Sequence, residues 1–246
     1  MSDVQYGSAV SSVYDILLSD PIPARDTVDF LRDRVAGKDV LELGVGTGRI
    51  AEPLAPLVRT LTGVDNSPHM LEGFRAKGVP QNVTLIQADF RTPVPTGGSF
   101  DAAYSTLGSL ACCRDRDELR AALRGAAGRL RPGGVLCLEY YSADTYRLML
   151  QASPFASRTA EGHPFEIRLA LDPVRTVLTS ATTISVHGEK VDFAEDVLLL
   201  EADEVERCLT EAGFAAVETL RQPGQPFDWY VARAPSASES AAEPTE

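Results

Sequence analysis

The chain has 246 residues, of which 44% are hydrophobic and 24% charged, a composition typical of an ordinary globular protein. Its formal net charge of −12 argues against a nucleic-acid partner, because a phosphate backbone binds to a basic surface. No apolar run reaches the ~18–20 residues of a membrane-spanning helix, and the first residues carry no secretory signal. We therefore expect neither a nucleic-acid partner nor a membrane.

The chain has four cysteines, Cys112, Cys113, Cys137 and Cys208. None belongs to a Cys-x-x-Cys pair, and the three histidines add no zinc-like spacing, so we expect no metal site. Isolated cysteines of this kind are usually packing residues, although the adjacent pair could be redox-active. The lack of a disulfide pattern favours a reducing, cytoplasmic location.

Two helices are predicted before the first strand. Apolar residues recur at helical spacing over residues 8–18, and Asp20-Pro-Ile-Pro ends this pattern. A second helix is expected at about 24–35, because Gly37 follows the last periodic residue. Since both helices precede the sheet, we predict that residues 1–36 form a helical cap over the functional pocket.

The most informative segment is DVLELGVGTGRI, residues 39–50, which predicts a buried strand, a glycine turn and the start of a helix. Gly44, Gly46 and Gly48 carry no side chain that would hold a ligand away from the backbone. The N–H groups at the start of the following helix point toward the turn. This pattern indicates a nucleotide-like pocket at the carboxyl end of the first strand.

The spacing of the glycines separates two kinds of nucleotide site. A dinucleotide fingerprint, G-x-G-x-x-G/A, places its third small residue where this chain has Arg49. Here the third glycine, Gly48, comes one residue earlier, and Glu42 stands two positions before Gly44. An unpaired carboxylate is costly inside an apolar strand, so Glu42 requires a partner from a ligand or from the turn.

After the turn, strands and helices alternate, which predicts an α/β fold with a doubly wound, mostly parallel sheet. The alternation stops at Ser142, where the pattern becomes that of antiparallel strands. The expected units are a cap at 1–36, a core at 37–141, an antiparallel insertion at 142–200, a helix with a closing hairpin at 201–233, and a disordered tail at 234–246.

Two aspartates end successive predicted strands. Asp65 ends the second strand and Asp89, followed by Phe90, ends the third. At the carboxyl edge of a parallel sheet both carboxylates would face one crevice, although each could instead cap the turn that follows it. A Leu130-Arg-Pro-Gly-Gly turn then leads into the fifth strand.

Together with E-x-G-x-G-x-G at residues 42–48, these features resemble the motifs of the class I S-adenosylmethionine (SAM) methyltransferases. The resemblance implies a Rossmann-like, seven-stranded sheet and SAM as cofactor, with S-adenosylhomocysteine as product. It also implies that the glycine turn approaches the methionine part of SAM, Asp65 its ribose, and Asp89 with Phe90 its adenine. The residues assigned to the cofactor on this basis are Tyr14, Glu42, Gly44, Gly46, Gly48, Asp65, Asn66, Met70, Asp89, Phe90 and Ser105.

The acceptor is expected to be a small molecule. Nucleic-acid and protein amine methyltransferases of this family often carry Asn/Asp-Pro-Pro-Tyr/Phe after the fourth strand, where this chain has Tyr104-Ser-Thr-Leu. The Tyr14-Asp15 pair and the insertion resemble the natural-product and sugar-amine N-methyltransferases. Aromatic side chains suit such a site because ring faces attract cations. The candidates for the acceptor side are Tyr104, Tyr140, Tyr141, Tyr146 and Phe155.

Two residues are candidates for catalysis. Tyr14 is favoured by its place on the cap and by the family pattern, and His163 is the histidine expected nearest the crevice. A core role stays open for each tyrosine, and a structural role for His163. The expected reaction transfers a methyl group from SAM to an N or O atom of a small acceptor. Non-methylating chemistry such as cyclisation and an NAD-dependent oxidoreductase stay open as alternatives, and so does the choice between monomer and homodimer.

Overall fold

The computed structural model describes residues 7–18, 24–172 and 174–237. The strands are β1 (Asp39–Leu43), β2 (Thr60–Asp65), β3 (Val83–Gln87), β4 (Phe100–Ser105), β5 (Leu130–Tyr141), β6 (Phe155–Arg158), β7 (Pro164–Asp172), β8 (Val177–Val186), β9 (Glu189–Leu198), β10 (Ala216–Leu220) and β11 (Phe227–Arg233). The α-helices are α1 (Ser8–Leu18), α2 (Ala24–Val35), α3 (Ala51–Leu54), α4 (Pro68–Lys77), α5 (Arg116–Ala127), α6 (Ala143–Ala152) and α7 (Ala202–Glu211).

The centre of the fold is a seven-stranded sheet in the order β10-β11-β5-β4-β1-β2-β3. The strands β1 to β5 pair in parallel, whereas β11 runs antiparallel to both β5 and β10. The predicted mostly parallel, seven-stranded α/β sheet with a closing hairpin is therefore confirmed. In this order β1 lies between β4 and β2, so the turn that follows β1 opens at the middle of the sheet's carboxyl edge.

Helices cover both faces of this sheet. On one face, α2, α3 and α4 pack against β1 residues such as Val40 and against Tyr104 of β4. On the other face, α5 and α7 pack against Leu41 and Leu43 of the same strand β1. Because successive side chains of β1 enter two different apolar layers, consecutive positions such as Val40 and Leu41 both have to be apolar.

The helix α2 belongs to one of these layers and not to a cap. Its residues Leu31 and Val35 are fully buried, and the ring of Phe30 stacks on Trp229 of β11 with 4.1 Å between the ring centroids. The prediction that all of residues 1–36 cap the pocket is therefore wrong for α2. Its apolar stripe is removed from water by packing against the sheet face that includes β11.

The helix α1 does lie over the carboxyl edge of the sheet. It contacts α4 on one side and the strands β8 and β9 on the other. Val10 and Val13 supply the buried positions of this contact. Thus α1 connects the two sheets of the molecule across the crevice.

The second sheet is antiparallel, with the order β6-β7-β8-β9, and it lies within the segment 142–200 predicted as an insertion. Strand β6 was not predicted, because its four residues fall in a stretch without clear alternation. Strand β9 contacts the short 3-10 helix Ser109–Cys112 that follows β4. The insertion is therefore tied to the same edge of the large sheet as the glycine turn.

The predicted start of the disordered tail, at residue 234, lies too early in the chain. The amide of Ala234 donates to the carbonyl of Gly134 at 2.8 Å, and the amide of Gly133 donates to Pro235 at 3.1 Å. Ala234 is itself buried. These bonds extend the edge of β11, so order continues past residue 233. The last predicted tail residues, 238–246, lie outside the described part of the chain.

Candidate active site

The glycine turn is closed by backbone hydrogen bonds to the neighbouring strand β2. The amides of Gly44 and Val45 both donate to the carbonyl of Val64, at 2.8 and 3.0 Å. Gly44 and Gly46 have φ angles of +83° and +55°, a region that residues with a side chain rarely adopt. An ideal Cβ on Gly44 would also lie 2.5 Å from the Ser109 hydroxyl oxygen. Glycine is therefore required at Gly44 by both backbone angle and space.

The third glycine has a different task from the one predicted. An ideal Cβ on Gly48 would lie 2.5 Å from the ring of Phe74 in α4, and Gly48 does not line the recess at the turn. Its missing side chain allows the turn and α4 to approach closely. The assignment of Gly48 to the cofactor is thus corrected to a packing role, because the side chain that it lacks would point toward the helix.

Asp65 is held against the turn by two backbone donors. Its Oδ2 accepts from the amide of Gly46 and its Oδ1 from the amide of Ser67, both at 2.8 Å. Burial raises the pKa of Asp65, and the N–H groups of Ser67, Gly46 and Asn66 oppose that rise. A carboxylate oxygen that accepts one hydrogen bond keeps further acceptor capacity, so Asp65 can still receive ligand hydroxyl groups.

Glu42 is buried in β1, with 1% of its surface exposed, and its partner is Tyr104 of β4. The Tyr104 hydroxyl donates to Oε2 of Glu42 at 2.8 Å. Burial raises the pKa of Glu42 to about 8, although the Tyr104 hydrogen bond lowers it. Tyr104 is fully buried and does not line the acceptor cavity described below, so its assignment to the acceptor side is wrong: its side chain enters the layer beneath the sheet.

Asp89 and Phe90 end β3 in different environments. The carboxylate of Asp89 accepts from the Arg91 guanidinium and from the Arg91 amide, at distances of 2.6 to 3.0 Å. Burial would raise the pKa of Asp89, but Arg91 lowers it below its ordinary value. The ring of Phe90 lies 4.0 Å from the position of a Cβ on Gly44. Phe90 is thus beside the turn, whereas Asp89 makes local bonds of the capping kind.

Three other cofactor candidates lie behind the turn. The Ser105 hydroxyl is fully buried and donates to the Leu43 carbonyl at 2.9 Å, so it joins β4 to β1 and its assignment to the cofactor is wrong. The Met70 side chain is buried, with its methyl carbon 3.3 Å from the position of a Cβ on Gly46. Asn66 follows Asp65 and donates its amide to that carboxylate. For Asn66 and Met70 a role in binding stays a prediction.

A strained turn after β4, which the sequence did not single out, forms the opposite wall. Leu107 has a φ angle of +53° and is followed by Gly108 at +67°. The Leu107 amide donates at 2.7 Å to Oε2 of Glu139, a buried carboxylate of β5. A Cβ on Gly108 would lie 2.1 Å from the ring of Tyr141, so the turn and β5 are in tight contact. The strain is held by this buried hydrogen bond.

A recess at the glycine turn is lined by Glu42, by the turn itself and by one cation, Arg49, which was not predicted as a site residue. Arg49 lies close enough to Glu42 and Glu139 for its charge to lower the pKa of both, although burial raises each of them. The residues that line the recess are Tyr14, Glu42, Gly44, Val45, Gly46, Thr47, Arg49, Ile50, Thr106, Leu107 and Ser109.

A second cavity, of about 450 Å³, lies between α1, the antiparallel sheet and the end of β5, and we call it the acceptor cavity. Its lining residues are Tyr14, Leu17, Leu18, Leu107, Tyr141, Thr145, Tyr146, Met149, Phe155, Phe165, Ile167, Leu169, Ser180, Thr182, Phe193, Glu195, Gly224, Gln225, Pro226 and Phe227. Tyr14 and Leu107 line both this cavity and the recess at the turn, so the two spaces share a wall.

The acceptor cavity contains three of the predicted acceptor residues, Tyr141, Tyr146 and Phe155. The rings of Tyr141 and Tyr146 lie 4.8 Å apart between centroids. Tyr140 is fully buried on the other side of β5, where its hydroxyl donates to the Leu198 carbonyl at 2.7 Å, so its assignment to the acceptor side is wrong. The alternation of side chains along β5 separates the two neighbouring tyrosines.

His163 is not in the acceptor cavity. It lies in the turn between β6 and β7, with its ring 5.4 Å from that of His187 and its Nε2 3.4 Å from a carboxylate oxygen of Glu161. The prediction that His163 is the histidine beside the crevice is therefore wrong, because β7 carries it to the far end of the antiparallel sheet. The charged residue that the cavity does contain, Glu195 of β9, was not predicted.

The helix α1 is fastened over the recess by Asp15. Its Oδ1 accepts from the Thr47 hydroxyl at 2.6 Å, and its Oδ2 accepts from Lys77 of α4 at 2.7 Å. These two hydrogen bonds hold the neighbouring Tyr14 at the wall that the recess and the acceptor cavity share. We call these contacts the α1 latch.

The remaining sequence candidates give no second centre. The four cysteines are free, and burial raises the pKa of Cys113 to about 12, which does not suit a reactive thiol. Within residues 7–18, 24–172 and 174–237, no cluster of three or more His, Cys, Asp or Glu residues is arranged to hold a metal ion. Nor is any helix of this part of the chain long and apolar enough to cross a membrane.

The groups at the glycine turn fit SAM chemically. SAM carries an ammonium, a carboxylate, a ribose diol and a flat adenine ring. The recess offers the carboxyl group of Glu42 to the ammonium and the guanidinium of Arg49 to the carboxylate, and beside it Asp65 offers acceptor oxygens for the diol. Phe90 presents a ring beside the turn. A backbone without side chains at Gly44 and Gly46 completes the set.

Comparison with known proteins agrees with this geometry. A family model described as a methyltransferase domain matches residues 40–134. The chain is 29% identical over 142 residues to the cypemycin N-terminal methyltransferase of a Streptomyces species, covering 56% of this chain and 58% of that protein. It is 32% identical to the dTDP-3-amino-3,4,6-trideoxy-alpha-D-glucopyranose N,N-dimethyltransferase of Streptomyces venezuelae, covering 47% of this chain and 48% of that relative. The chain thus spans about half the length of these two relatives.

Among solved structures, the CcbJ methyltransferase of Streptomyces caelestis superposes with a TM-score of 0.80 at 25% identity, over 96% of this chain and 100% of that one. This match includes the antiparallel insertion, because it spans nearly the whole chain. The sheet order, the glycine turn with Asp65 and the domain match agree with one another. Residues 40–134 are a methyltransferase domain, and the whole chain has the Rossmann-like fold of the SAM-dependent methyltransferases, whose cofactor SAM fits the groups at the glycine turn.

Proposed function

We propose that this protein transfers the methyl group of SAM to an N or O atom of a small-molecule acceptor. The observation that carries the proposal is the shared wall, since Tyr14 and Leu107 line both the recess at the glycine turn and the acceptor cavity. A donor held at the turn and an acceptor held in the cavity meet there. The two Streptomyces relatives named above, an N-terminal methyltransferase and an N,N-dimethyltransferase by name, support the same reaction class.

The chain's own residues bind, align and exclude water. SAM supplies a methyl group that its sulfonium has already activated. Asp65, Glu42 and Arg49 hold the polar parts of the donor, and the rings of Tyr141, Tyr146 and Phe155 exclude water from the acceptor. A neutral amine attacks without a general base, whereas a hydroxyl group requires one. An amine that binds as an ammonium ion first releases one proton, which water or a carboxylate can accept, so the acceptor cavity needs no histidine when the acceptor atom is nitrogen.

The proposal is tested with SAM that carries a deuterated methyl group. The full chain is incubated with this SAM and a panel of small amines and alcohols, and the products are analysed by mass spectrometry. We expect S-adenosylhomocysteine together with an acceptor that has gained one labelled methyl group. A product that forms without S-adenosylhomocysteine would instead indicate non-methylating chemistry. Tight binding of NAD(P) without binding of SAM would overturn the proposal and favour an oxidoreductase.

We also infer a cytoplasmic location and no nucleic-acid partner. The four free cysteines support the first inference, since a reducing compartment preserves thiols. The net charge of −12 supports the second. Electrophoresis of the freshly extracted protein with and without reductant tests the first inference, and a mobility shift with duplex and single-stranded DNA tests the second.

A further inference from the structure

The acceptor cavity contains one acidic side chain among aromatic and aliphatic ones, that of Glu195. Along β9 the side chains alternate between the two faces of the antiparallel sheet. Asp192 and Asp196 occupy the outer face, where they accept hydrogen bonds from threonine hydroxyls of β8, and both are exposed. Glu195 and Phe193 occupy the inner face and line the cavity. Solubility explains the outer carboxylates, but it does not explain a carboxylate on the inner face.

Aromatic rings surround this carboxylate. The Tyr141 hydroxyl lies 3.5 Å from Oε1 of Glu195 as a donor. The ring of Tyr141 lies 4.8 Å from that of Tyr146 and 4.9 Å from that of Phe227, measured between centroids. Burial, followed by the charge of Glu195, raises the pKa of Tyr141 and of Tyr146, so both hydroxyls stay protonated. A carboxylate bordered by ring faces is an environment that attracts an organic cation.

The same cavity is unsuited to an acceptor with phosphate groups. Among the residues that line it, all of them in the described part of the chain, none is Lys, Arg or His. The residues outside the described ranges add no basic side chain either, because the printed sequence contains no Lys, Arg or His at 1–6, 19–23, 173 or 238–246. A diphosphate in this cavity would meet the charge of Glu195 and no basic side chain among the lining residues, which is unfavourable in a water-poor site.

We propose that the acceptor is an amine on an apolar or aromatic skeleton without phosphate groups, and that Glu195 binds its ammonium group and so determines specificity. This inference rests on the proposed function, because it identifies the kind of acceptor for the same site. It also separates this chain from the relative in Streptomyces venezuelae, whose name describes a dTDP-sugar as acceptor.

The test compares two ligands of the same shape. 2-Phenylethylamine carries an ammonium group at neutral pH, and 2-phenylethanol carries a hydroxyl group in its place. Their binding to the full chain, with no SAM added, is followed by ligand-observed NMR. We expect the amine to bind at least about tenfold more tightly than the alcohol, as a charge-assisted hydrogen bond requires. Equal binding, or tighter binding of the alcohol, would overturn the inference.

A matched pair of variants locates the effect. Glu195→Gln removes the inner carboxylate, and Asp196→Asn removes an equal charge from the outer face of the same strand. We expect the preference for the amine to disappear in Glu195→Gln and to persist in Asp196→Asn. An unchanged preference in a folded Glu195→Gln variant would contradict the role of Glu195. Should that variant fail to fold, the preference of the wild-type protein for the amine still decides the acceptor class.

A nucleotide sugar provides the competing arm. A dTDP-amino sugar is added to the protein with bound 2-phenylethylamine, and we expect no displacement at a tenfold molar excess. Displacement would overturn the inference. The proposed function is measured separately, by calorimetric binding of SAM. If SAM binds but the labelled methyl group is found only on alcohols, the proposed methyl transfer stands and the inference of an amine acceptor is refuted. If SAM does not bind, the proposed methyl transfer is refuted, and the measured preference between amine and alcohol is unaffected.

Discussion

The recess at the glycine turn and the acceptor cavity share a wall, yet they are built in opposite ways. The recess takes most of its residues from β1 and the turn after it, and it presents charges and bare backbone. The acceptor cavity takes its residues from α1, α6, the antiparallel sheet and the segment before β11, and it presents rings with a single carboxylate. The first is made by neighbours in sequence, whereas the second is assembled from distant parts of the chain.

This difference explains why the sequence predicts the identity of the methyl donor but not that of the acceptor. A polar donor needs fixed charges, and the end of a buried strand holds them in place with backbone hydrogen bonds, as the bonds to Asp65 show. An apolar acceptor needs a shape, and shape depends on how the second sheet docks. Variants of the recess and of the acceptor cavity should therefore affect different measurements, namely SAM binding and the rate with a given acceptor.

The largest effect is expected for Asp65→Asn. The side-chain amide cannot accept from both Gly46 and Ser67, and it loses the charge that strengthens bonds to ribose hydroxyls. We expect SAM affinity, measured by calorimetry, to fall about 1,000-fold, or about 4 kcal/mol. The control is Asp39→Asn, a carboxylate at the opposite edge of the sheet, which should leave SAM binding unchanged. Equal losses in both variants would mean that general stability, and not the donor site, sets the affinity.

The next largest effect concerns Glu42 and pH. Burial raises its pKa from 4.5 to about 8 in the folded protein. Between these values the unfolded chain releases a proton that the folded chain retains, so stability falls as pH rises through this window. Glu42→Gln removes this titration. We therefore expect the free energy of unfolding of the variant, relative to that of the wild type, to rise by about 3 kcal/mol between pH 5 and pH 8.

Denaturant unfolding at a series of pH values measures this gain. Tyr104→Phe serves as the control, because it removes the hydrogen bond to Glu42 but keeps the buried carboxyl group. That variant should still lose stability with rising pH. Parallel curves for Glu42→Gln and the wild type would show that Glu42 is already ionised in the folded protein at pH 5.

A smaller effect is expected from opening the α1 latch. Asp15→Asn weakens the bonds to Thr47 and Lys77, which are partly exposed. We expect the amides of residues 8–18 to exchange with deuterium about tenfold faster, and SAM to bind about tenfold more weakly. Asp29→Asn, which removes an exposed ion pair with Arg32 on α2, should change neither value. Faster exchange without weaker SAM binding would separate the latch from the donor site.

The smallest effect is expected for His163→Gln. Since His163 lies in the turn between β6 and β7, the rate of methyl transfer should change by less than about twofold. Tyr146→Leu in the acceptor cavity should lower the rate with the same acceptor by about tenfold. Rates are compared at saturating SAM by mass spectrometry. A larger loss in His163→Gln than in Tyr146→Leu would mean that the acceptor binds elsewhere.

The sequence predicts the fold and the donor site because their signals are local. Gly44, Asp65 and Phe90 each stand at a strand end that the apolar pattern marks, and parallel pairing brings those ends together. Helix α2 shows the limit of this reasoning. Its apolar stripe predicts a helix with one buried side, but the stripe does not say which surface it will cover.

The acceptor side could not be predicted residue by residue. Tyr140 and Tyr141 are neighbours, yet one enters the core and the other lines the cavity, because alternation along β5 decides their faces. Glu195 is one of several acidic residues in β9, and nothing in the pattern says that its face meets the large sheet. Only the register of β8 with β9 and the docking of α1 make that distinction.

The position of Tyr14 has a consequence for how two ligands sense each other. The helix that carries it is bonded to the glycine turn through Asp15 and also contacts β8 and β9. A ligand that binds on one side of α1 and orders this helix also orders the wall of the second binding space. Donor and acceptor should therefore bind cooperatively. Linkage requires this coupling to be reciprocal: the factor by which the donor tightens the acceptor equals the factor by which the acceptor tightens the donor. Weakening the Asp15 contacts should reduce both factors together.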